Sequence, residues 1–434
     1  MNIGTLLPRH ARCRPHHPAV LFEADVYNYG EFNRRVNRLA NALLALGVTK
    51  GDKVATLLPN CLELLDTYWA VAKIGAVVVP LSQLTRGKGL VTMLNDSDSV
   101  CVITDSAFVE HLDRERGALT IPEHRYLLTG AMTAPGYSSY DALTAAASDT
   151  DAEGIQIDAS DPYNIMYTSG TTGQPKGIVH THLIRAMYGT LMANSFRMTP
   201  ESVILHAGSI VFNGAFVTLM PAFFMGGTYI LHRQFNPQRF IETVEREKVT
   251  HVIMVPSQII AVMHAPNFSA SALHTLEMLC TVGAPLHQEH KDELSRRLPG
   301  RFYELYGLTE GFVTILDKND YESKGRSVGV PPPLFEMRII DDEGRDVPSG
   351  KVGEIVGRGP ILMPGYYKRP DLTSEAIING WLHTGDMGHV DEEGYLYLVD
   401  RKKDMIISGG VNVYPRDIEE IAVQHPAVQE VAVF

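Results

Sequence analysis

The chain has 434 residues, 45 % of them hydrophobic and 20 % charged, which is the composition of a globular protein and not of a disordered one. Its 38 Lys and Arg against 50 Asp and Glu give a net charge of −12 with no long basic run, so a nucleic-acid partner is not expected. The four cysteines, Cys13, Cys61, Cys101 and Cys280, lie far apart with no CxxC pair. That argues against a disulfide framework or a zinc site and for a reducing compartment, the cytoplasm.

The N-terminal residues up to Pro15 carry Arg9, Arg12 and Arg14 but no apolar core of a signal peptide. From Tyr27 onward, helix and strand patterns alternate. Residues Glu31 to Leu46 place Phe32, Val36, Leu39, Leu43 and Leu46 on one helical face, with Gly47 where a C-terminal cap belongs. Lys53 to Leu58 reads as a buried strand, Glu63 to Ile74 as a helix ended by Gly75, and Val77 to Val79 as a second strand. This spacing favours a parallel sheet. Asn164 to Tyr167 reads as a further strand. The greasiest stretch, Val217 to Leu231, is interrupted by Pro221 and by Gly226-Gly227, so it reads as a buried strand or helix and no transmembrane segment is expected. The strand-helix alternation returns at Thr250 to Val255, Pro256 to His264 and Leu279 to Gly283. Beyond about Val328 the pattern becomes a β-meander: Met337 to Ile340, Lys351 to Val356, Met387 to Val390 and Tyr395 to Val399. The acidic clusters Asp341 to Gly344 and Asp391 to Gly394 fit turns between strands better than metal ligands. A new unit begins after Asp404, with Gly409-Gly410 and a helix from about Pro415. The run Val428 to Phe434 reads as a strand, and a chain end within a strand suggests an incomplete small domain.

The strongest chemical signal is Tyr167-Thr-Ser-Gly-Thr-Thr-Gly-Gln-Pro-Lys-Gly177. Glycines let backbone N–H groups approach an anion, hydroxyls donate hydrogen bonds, and Lys176 adds a point charge. That is the chemistry of a polyphosphate cradle, though Pro175 rules out a Walker A loop and the glycines do not spell G-x-G-x-x-G.

With this loop followed in order by Val282-Gly-Ala-Pro285, Tyr306-Gly-Leu-Thr-Glu310, Trp381-Leu-His-Thr-Gly-Asp386 and Asp400-Arg-Lys-Lys-Asp404, the sequence resembles the adenylate-forming acyl-CoA synthetase superfamily over nearly its whole length. The resemblance implies an α/β fold: a large, multi-layer N-terminal domain of residues 1–400 with mixed sheets and a β-barrel-like subdomain, then a hinge and the start of a small α+β domain at 401–434. It implies an ATP-dependent carboxylic acid:CoA ligase that forms an acyl-adenylate with release of pyrophosphate and then an acyl-CoA thioester. An adenylation enzyme that loads a carrier protein shares every motif. ATP, Mg2+ and coenzyme A are the implied cofactors, and a homodimer is compatible with the family.

Residue by residue, the resemblance implies nucleotide contacts from Thr168, Ser169, Gly170, Thr171, Thr172, Gly173 and Lys176. Gly283, Ala284 and Pro285 would form a flat wall opposite the aromatic face of Tyr306, on a strand that also carries Glu304, Leu305 and Gly307. Thr309 suits the α-phosphate; Glu310, with Thr168, suits magnesium. Asp386 would accept the ribose hydroxyls, with Leu398 and Arg401 nearby, and Lys403 falls at the hinge. Lys176, Thr309, Glu310 and Lys403 are the catalytic candidates. Gly409 and Gly410 match the pantetheine tunnel. The acid pocket would be lined by Phe212, Asn213, Phe216, Val217, Gln258, Val282 and Val313. An uncharged Asn213 disfavours amino acids, since an α-ammonium would be buried unpaired. With no arginine among these positions, a second carboxylate is disfavoured too, and the two phenylalanines favour a fatty, aryl or alicyclic acid. His182 is expected to close the site as a structural contact. The family's last catalytic lysine would lie beyond Phe434, and adenylation by a chain without it is expected to be slow.

Overall fold

The computed structural model describes residues 1–168, 175–401, 406–408 and 411–413, together with 418, 422, 425, 428, 431 and 433. Ser169, Gly170, Thr171, Thr172 and Gly173, Lys403, Gly409 and Gly410, the helix expected from Pro415 and most of the final strand lie outside the described residues. The chain groups into two compact units, one of residues 1–253 and 363–370, the other of residues 254–362 and 371–434.

The first unit holds strands β1 (Pro18–Phe22), β2 (Asp25–Asn28), β3 (Lys53–Leu57), β4 (Val77–Pro80), β5 (Ser99–Thr104), β6 (Tyr126–Leu128), β7 (Ser138–Ser139), β8 (Pro162–Thr168), β9 (Lys176–Thr181), β10 (Val203–His206), β11 (Thr228–Leu231) and the start of β12 (His251–Met254). One sheet has the order β7-β6-β5-β3-β4-β8-β9. All its pairings are parallel except β8 with β9, which form an antiparallel hairpin. A second run pairs β12 with β10, β10 with β11 and β11 with β1 in parallel, and closes with antiparallel β2. The parallel strands are largely buried and mostly apolar, as expected of a parallel sheet: Ala55, Leu57, Val77, Val79, Val102 and Ile165 pack in one buried cluster.

Local signals place the helices. The helix Tyr29–Ala45 opens on a capping box, with Asn28 Oδ1 accepting from Glu31 N at 2.8 Å and Glu31 Oε2 accepting from Asn28 N at 3.0 Å. It ends where Gly47 takes φ +77°, donating to Leu44 O. The helix Leu62–Ile74 is buried on nearly every side, and Gly75 (φ +68°) turns the chain into β4. The expectation at Pro221 is corrected. The helix Asn213–Met225 runs straight through that residue, and the break comes at Gly226 (φ +81°), before β11. Proline forfeits one backbone bond, and burial of the helix on its apolar surroundings outweighs the loss.

The second unit holds β13 (Met278–Thr281), β14 (Phe302–Leu308), β15 (Phe312–Leu316), β16 (Glu336–Ile340), β17 (Gly353–Arg358), β18 (Ile377–Ile378), β19 (Trp381–Val390) and β20 (Leu396–Arg401). β13 and β14 are parallel, and β14 turns into antiparallel β15. Strands β16-β17-β19-β18, with β20 on β19, make the antiparallel half-barrel. Its acidic clusters are turns: Asp341 Oδ1 accepts from the backbone N–H of Glu343 and Arg345, and Asp391 Oδ1 from those of Glu393 and Tyr395. A short antiparallel pair, 406–408 with 411–413, follows. Among the described residues no helix is long and apolar enough to cross a membrane.

Candidate active site

In the first unit the phosphate-loop motif straddles a hairpin. Tyr167 pairs with Gly177, and Thr168 with Lys176, so the cationic residue and the hydroxyl residue sit level across the ladder at the loop's mouth. The outer edge of β9 is not bare. Residues 365–367 lie along it, with Val179 N donating to Gly365 O at 3.3 Å and Tyr367 N donating to Gly177 O at 2.7 Å. Lys176 Nζ rests 5.1 Å from the centre of the Tyr366 ring, a cation–π contact that holds the ammonium without neutralising it.

In the second unit the register Thr281 with Glu304 sets Gly283 and Tyr306 level, each two residues past the matched pair at the carboxyl ends of adjacent parallel strands. Ligands of open α/β sheets bind at such strand ends. Gly283, Ala284 and Pro285 are exposed there, and Gly283 takes φ +89°. Tyr306 is half-buried, and its hydroxyl donates to Asp386 Oδ2 at 2.7 Å. Asp386 is held in turn: its N–H donates to Thr384 Oγ1 at 3.1 Å, and that hydroxyl donates to Ile355 O at 2.7 Å. β19 and β20 pair Asp386 directly with Arg401, and Gly388 with Leu398. The predicted adenine and ribose residues of this unit are thus brought together.

Thr309 and Glu310 occupy the tight turn between β14 and β15, closed by Gly311 N donating to Leu308 O at 3.1 Å. Gly311 sits at φ +110°, and a β-carbon there would lie 2.0 Å from Ile361 O. Only glycine fits, and its backbone sets where Glu310 points. Gly307 is similarly tight, 2.7 Å from Phe312 O for an added β-carbon, while Val313 pairs with it across the hairpin. Val282 and Gln258 are partly exposed; Gln258 Oε1 accepts from Val255 N at 3.3 Å, capping the helix Pro256–Met263. Glu304 lies two residues before Tyr306 on β14, and its carboxylate is buried in an ion pair with Lys291, which leaves its backbone for the nucleotide contact that the sequence suggests.

The predicted acid-pocket residues of the first unit sit at the start of the helix Asn213–Met225. Asn60 fixes the approach, its Nδ2 donating to Gly208 O at 2.6 Å and its Oδ1 accepting from Ile210 N at 3.0 Å. Phe212 is exposed, Asn213 half-buried, and Phe216 and Val217 buried. None of the residues predicted to line the acid pocket is an arginine, but one stands behind Asn213. Arg185, on the helix His182–Ser195, is fully buried and its Nη1 donates to Asn213 Oδ1 at 2.9 Å. The two helices approach closely because residue 189 is glycine: a β-carbon there would lie 2.8 Å from Phe224 Cβ. His182 is a structural contact: it is buried, edge-on to Tyr163, and its Nδ1 accepts from Ile3 N at 3.3 Å.

A separate cavity of about 320 Å³ in the first unit is lined by Arg34, Arg35, Arg38, Asp66 and Tyr140, none of them in the motifs. Asp66 there is already matched by Arg35 Nε at 2.7 Å and the Tyr140 hydroxyl at 2.9 Å.

Comparison with known proteins decides the family. Residues 7–367 match the family of AMP-binding enzymes. The chain belongs to that family. As an AMP-binding enzyme of the adenylate-forming acyl-CoA synthetase superfamily, it is an acid–thiol ligase. It is 35 % identical over 441 residues to feruloyl-CoA synthase of an Amycolatopsis species, and 33 % identical over 439 residues to indoleacetate–CoA ligase of Aromatoleum aromaticum. Each alignment covers 100 % of this chain and 85 % of the relative. The fold of this AMP-binding enzyme is similar to a crystal structure of the anthranilate CoA ligase AuaEII in complex with anthranoyl-AMP, with a TM-score of 0.92 and 25 % identity, over 100 % of this chain and 84 % of the other.

Proposed function

We propose that the enzyme activates an aromatic carboxylic acid. The acid's carboxylate oxygen attacks the α-phosphorus of ATP, the bond to the bridging oxygen breaks, and pyrophosphate leaves. The thiol of coenzyme A then attacks the acyl carbon of the adenylate, giving the thioester and AMP, and the thiol proton passes to solvent. The observation that carries this reading is the bond of 2.7 Å from Tyr306 to Asp386, beside the exposed edge at Gly283 to Pro285: a flat purine slot joined to a ribose anchor. The aromatic preference rests on relatives named for ferulate, indoleacetate and anthranilate, and on the exposed ring of Phe212 next to Asn213.

Two anions must meet in the first step. Lys176 offsets charge on the departing pyrophosphate, and Thr309 donates to the α-phosphate. Magnesium fits the donors present. Among the described residues no group of three or more His, Cys, Asp or Glu could hold a metal, and this ion is ordinarily held by one or two carboxylates plus substrate phosphates. Glu310 is the carboxylate that would hold it, and when bound it would neutralise phosphate charge. No protein nucleophile is needed, since positioning converts the encounter into an intramolecular one. In this reading residues 1–400 form the adenylate-forming body, and 401–434 open the small domain with Lys403 at its hinge.

Acid-dependent release of pyrophosphate from ATP, followed by mass spectrometry of the CoA thioester, tests the proposal across aromatic, alkyl and amino acids. An aromatic acid should give both products, and Lys176→Ala should slow pyrophosphate release by about 100-fold. Thioester from alkyl acids alone would refute the aromatic assignment.

A further inference from the structure

Arg185 has no carboxylate partner among the described residues. Its side chain is fully buried, and each acceptor it meets there is neutral. Nε donates to Asn164 Oδ1 at 2.8 Å, Nη1 to Asn213 Oδ1 at 2.9 Å, and Nη2 to His180 Nδ1 at 3.2 Å and, more weakly, to Met166 Sδ at 3.8 Å. The guanidinium lies 4.1 Å from the centre of the Phe216 ring and 4.9 Å from that of Tyr188. Burial draws its pKa down to about 10, which still leaves it charged at neutral pH. A buried cation without a counter-ion is expensive. Here it has one evident effect: it fixes the orientation of three polar side chains.

A guanidinium donates and cannot accept. Asn164 must therefore turn its oxygen to Arg185, which leaves its Nδ2 to donate to His180 Nδ1 at 3.1 Å. Asn213 must do the same. Its Oδ1 is taken by Arg185, and its Nδ2 donates one hydrogen to the Tyr188 hydroxyl at 2.9 Å. The second Nδ2 hydrogen has no acceptor among the described residues, and Asn213 is the half-buried member of the cluster, on the wall predicted for the acid.

We propose that Asn213 presents this N–H as a specificity element for an oxygen acceptor on the ring of the acid, and that Arg185 is the positioning residue that prevents the amide from flipping. The proposal rests on the ligase reading and narrows it to an aromatic acid with a ring oxygen: a hydroxyl, a methoxyl or a second carboxylate. The positive charge behind the amide polarises the N–H and favours an acceptor with negative character. An unsubstituted ring leaves the donor unpaired in a partly desolvated wall.

The test uses non-hydrolysable acyl-sulfamoyl-adenosines with the whole chain, so that affinity is read without turnover. Three probes carry cinnamoyl, hydroxy-methoxy-cinnamoyl and carboxy-cinnamoyl groups, and calorimetry gives each dissociation constant. At least one oxygenated probe should bind about tenfold more tightly than cinnamoyl, as expected for a donor that would otherwise stay unpaired. Which one does so separates a neutral from an anionic acceptor. Asn213→Leu should bring the ratio close to one. Arg185→Met should do likewise, and Arg185→Lys, which keeps a donor to Oδ1, should restore part of it, with thermal melting to show that each variant is folded. A general loosening of the fold would weaken all three probes alike and leave the ratio intact, which would overturn the proposal. A wild-type ratio near one would also overturn it while leaving the ligase reading standing. Failure of every probe to bind overturns the ligase reading and this proposal together.

Discussion

At the residue scale, the bond from Tyr306 to Asp386 would let one hydroxyl serve two purposes in the proposed site, closing the side of a purine slot and fixing the carboxylate proposed for the ribose. Removing the hydroxyl in Tyr306→Phe keeps the ring and takes this bond from the carboxylate. A hydrogen bond to a charged group contributes about 1.5–3 kcal/mol, so AMP affinity should fall by roughly 10- to 100-fold, as calorimetric titration would show; an unchanged constant would mean that the bond does not order the site. The cysteines give a second residue-scale expectation. Cys61, Cys101 and Cys280 are buried and burial raises their thiols, that of Cys101 to about 12, while Cys13 is exposed. A maleimide should therefore label Cys13 quickly in the native protein and the other three only after unfolding, with no loss of activity from the fast reaction. Rapid inactivation on labelling would contradict a mechanism without a protein thiol. Residue roles were only partly legible in the sequence. The motif residues announce themselves because glycine, threonine and lysine do unusual things with phosphate. Arg185 gave no such signal. Its partners Asn164, Asn213 and His180 stand 21, 28 and 5 positions away, and only folding collects them. The ion pair of Glu304 was hidden for the same reason, since its partner Lys291 is on another element.

Elements were more legible than side-chain partners, because their ends are set by local chemistry. Gly47 and Gly75 stop helices where the periodicity stops, and both adopt positive φ. The acidic clusters at Asp341 and Asp391 behave as turns, because a short carboxylate captures the N–H groups that follow it. Pro221 was the misleading signal: helix propensity is a weak prior, and a helix buried in apolar surroundings keeps its course through a residue that would break an exposed one. The hairpin turn that carries Thr309 and Glu310 offers the sharpest test at this scale. Gly311→Ala would add a carbon 2.0 Å from Ile361 O at a φ of +110°, so the turn must shift. Such strain costs about 1–3 kcal/mol, and activity should fall more steeply than stability because Glu310 moves with the backbone. Urea unfolding and pyrophosphate release measured on the same preparation would separate the two, and equal losses would count against the turn as a positioning device.

At the scale of the whole molecule, stability should fall in mild acid. His182, His206 and His232 are buried, and burial lowers each from the ordinary 6.5 to about 4. Between those limits the unfolded chain takes up protons that the folded one refuses. Stability is thus fully present above pH 6.5 and is lost as pH falls towards 4, by up to about 1.4 kcal/mol per pH unit for each histidine. The urea midpoint should drop steeply from pH 7 to pH 5, and His206→Gln should shallow the slope by about one proton; a flat profile would rule out these groups as its source. The first unit has a further property on this scale, since residues 363–370 return to it from more than a hundred positions downstream and lie along β9. A fragment excised at residue 253 would therefore lose the strap over Gly177 and Val179. Its raw border would be free to zip onto another copy, so dissecting this enzyme by simple truncation invites aggregates, whereas a permuted chain that carries the strap along would not.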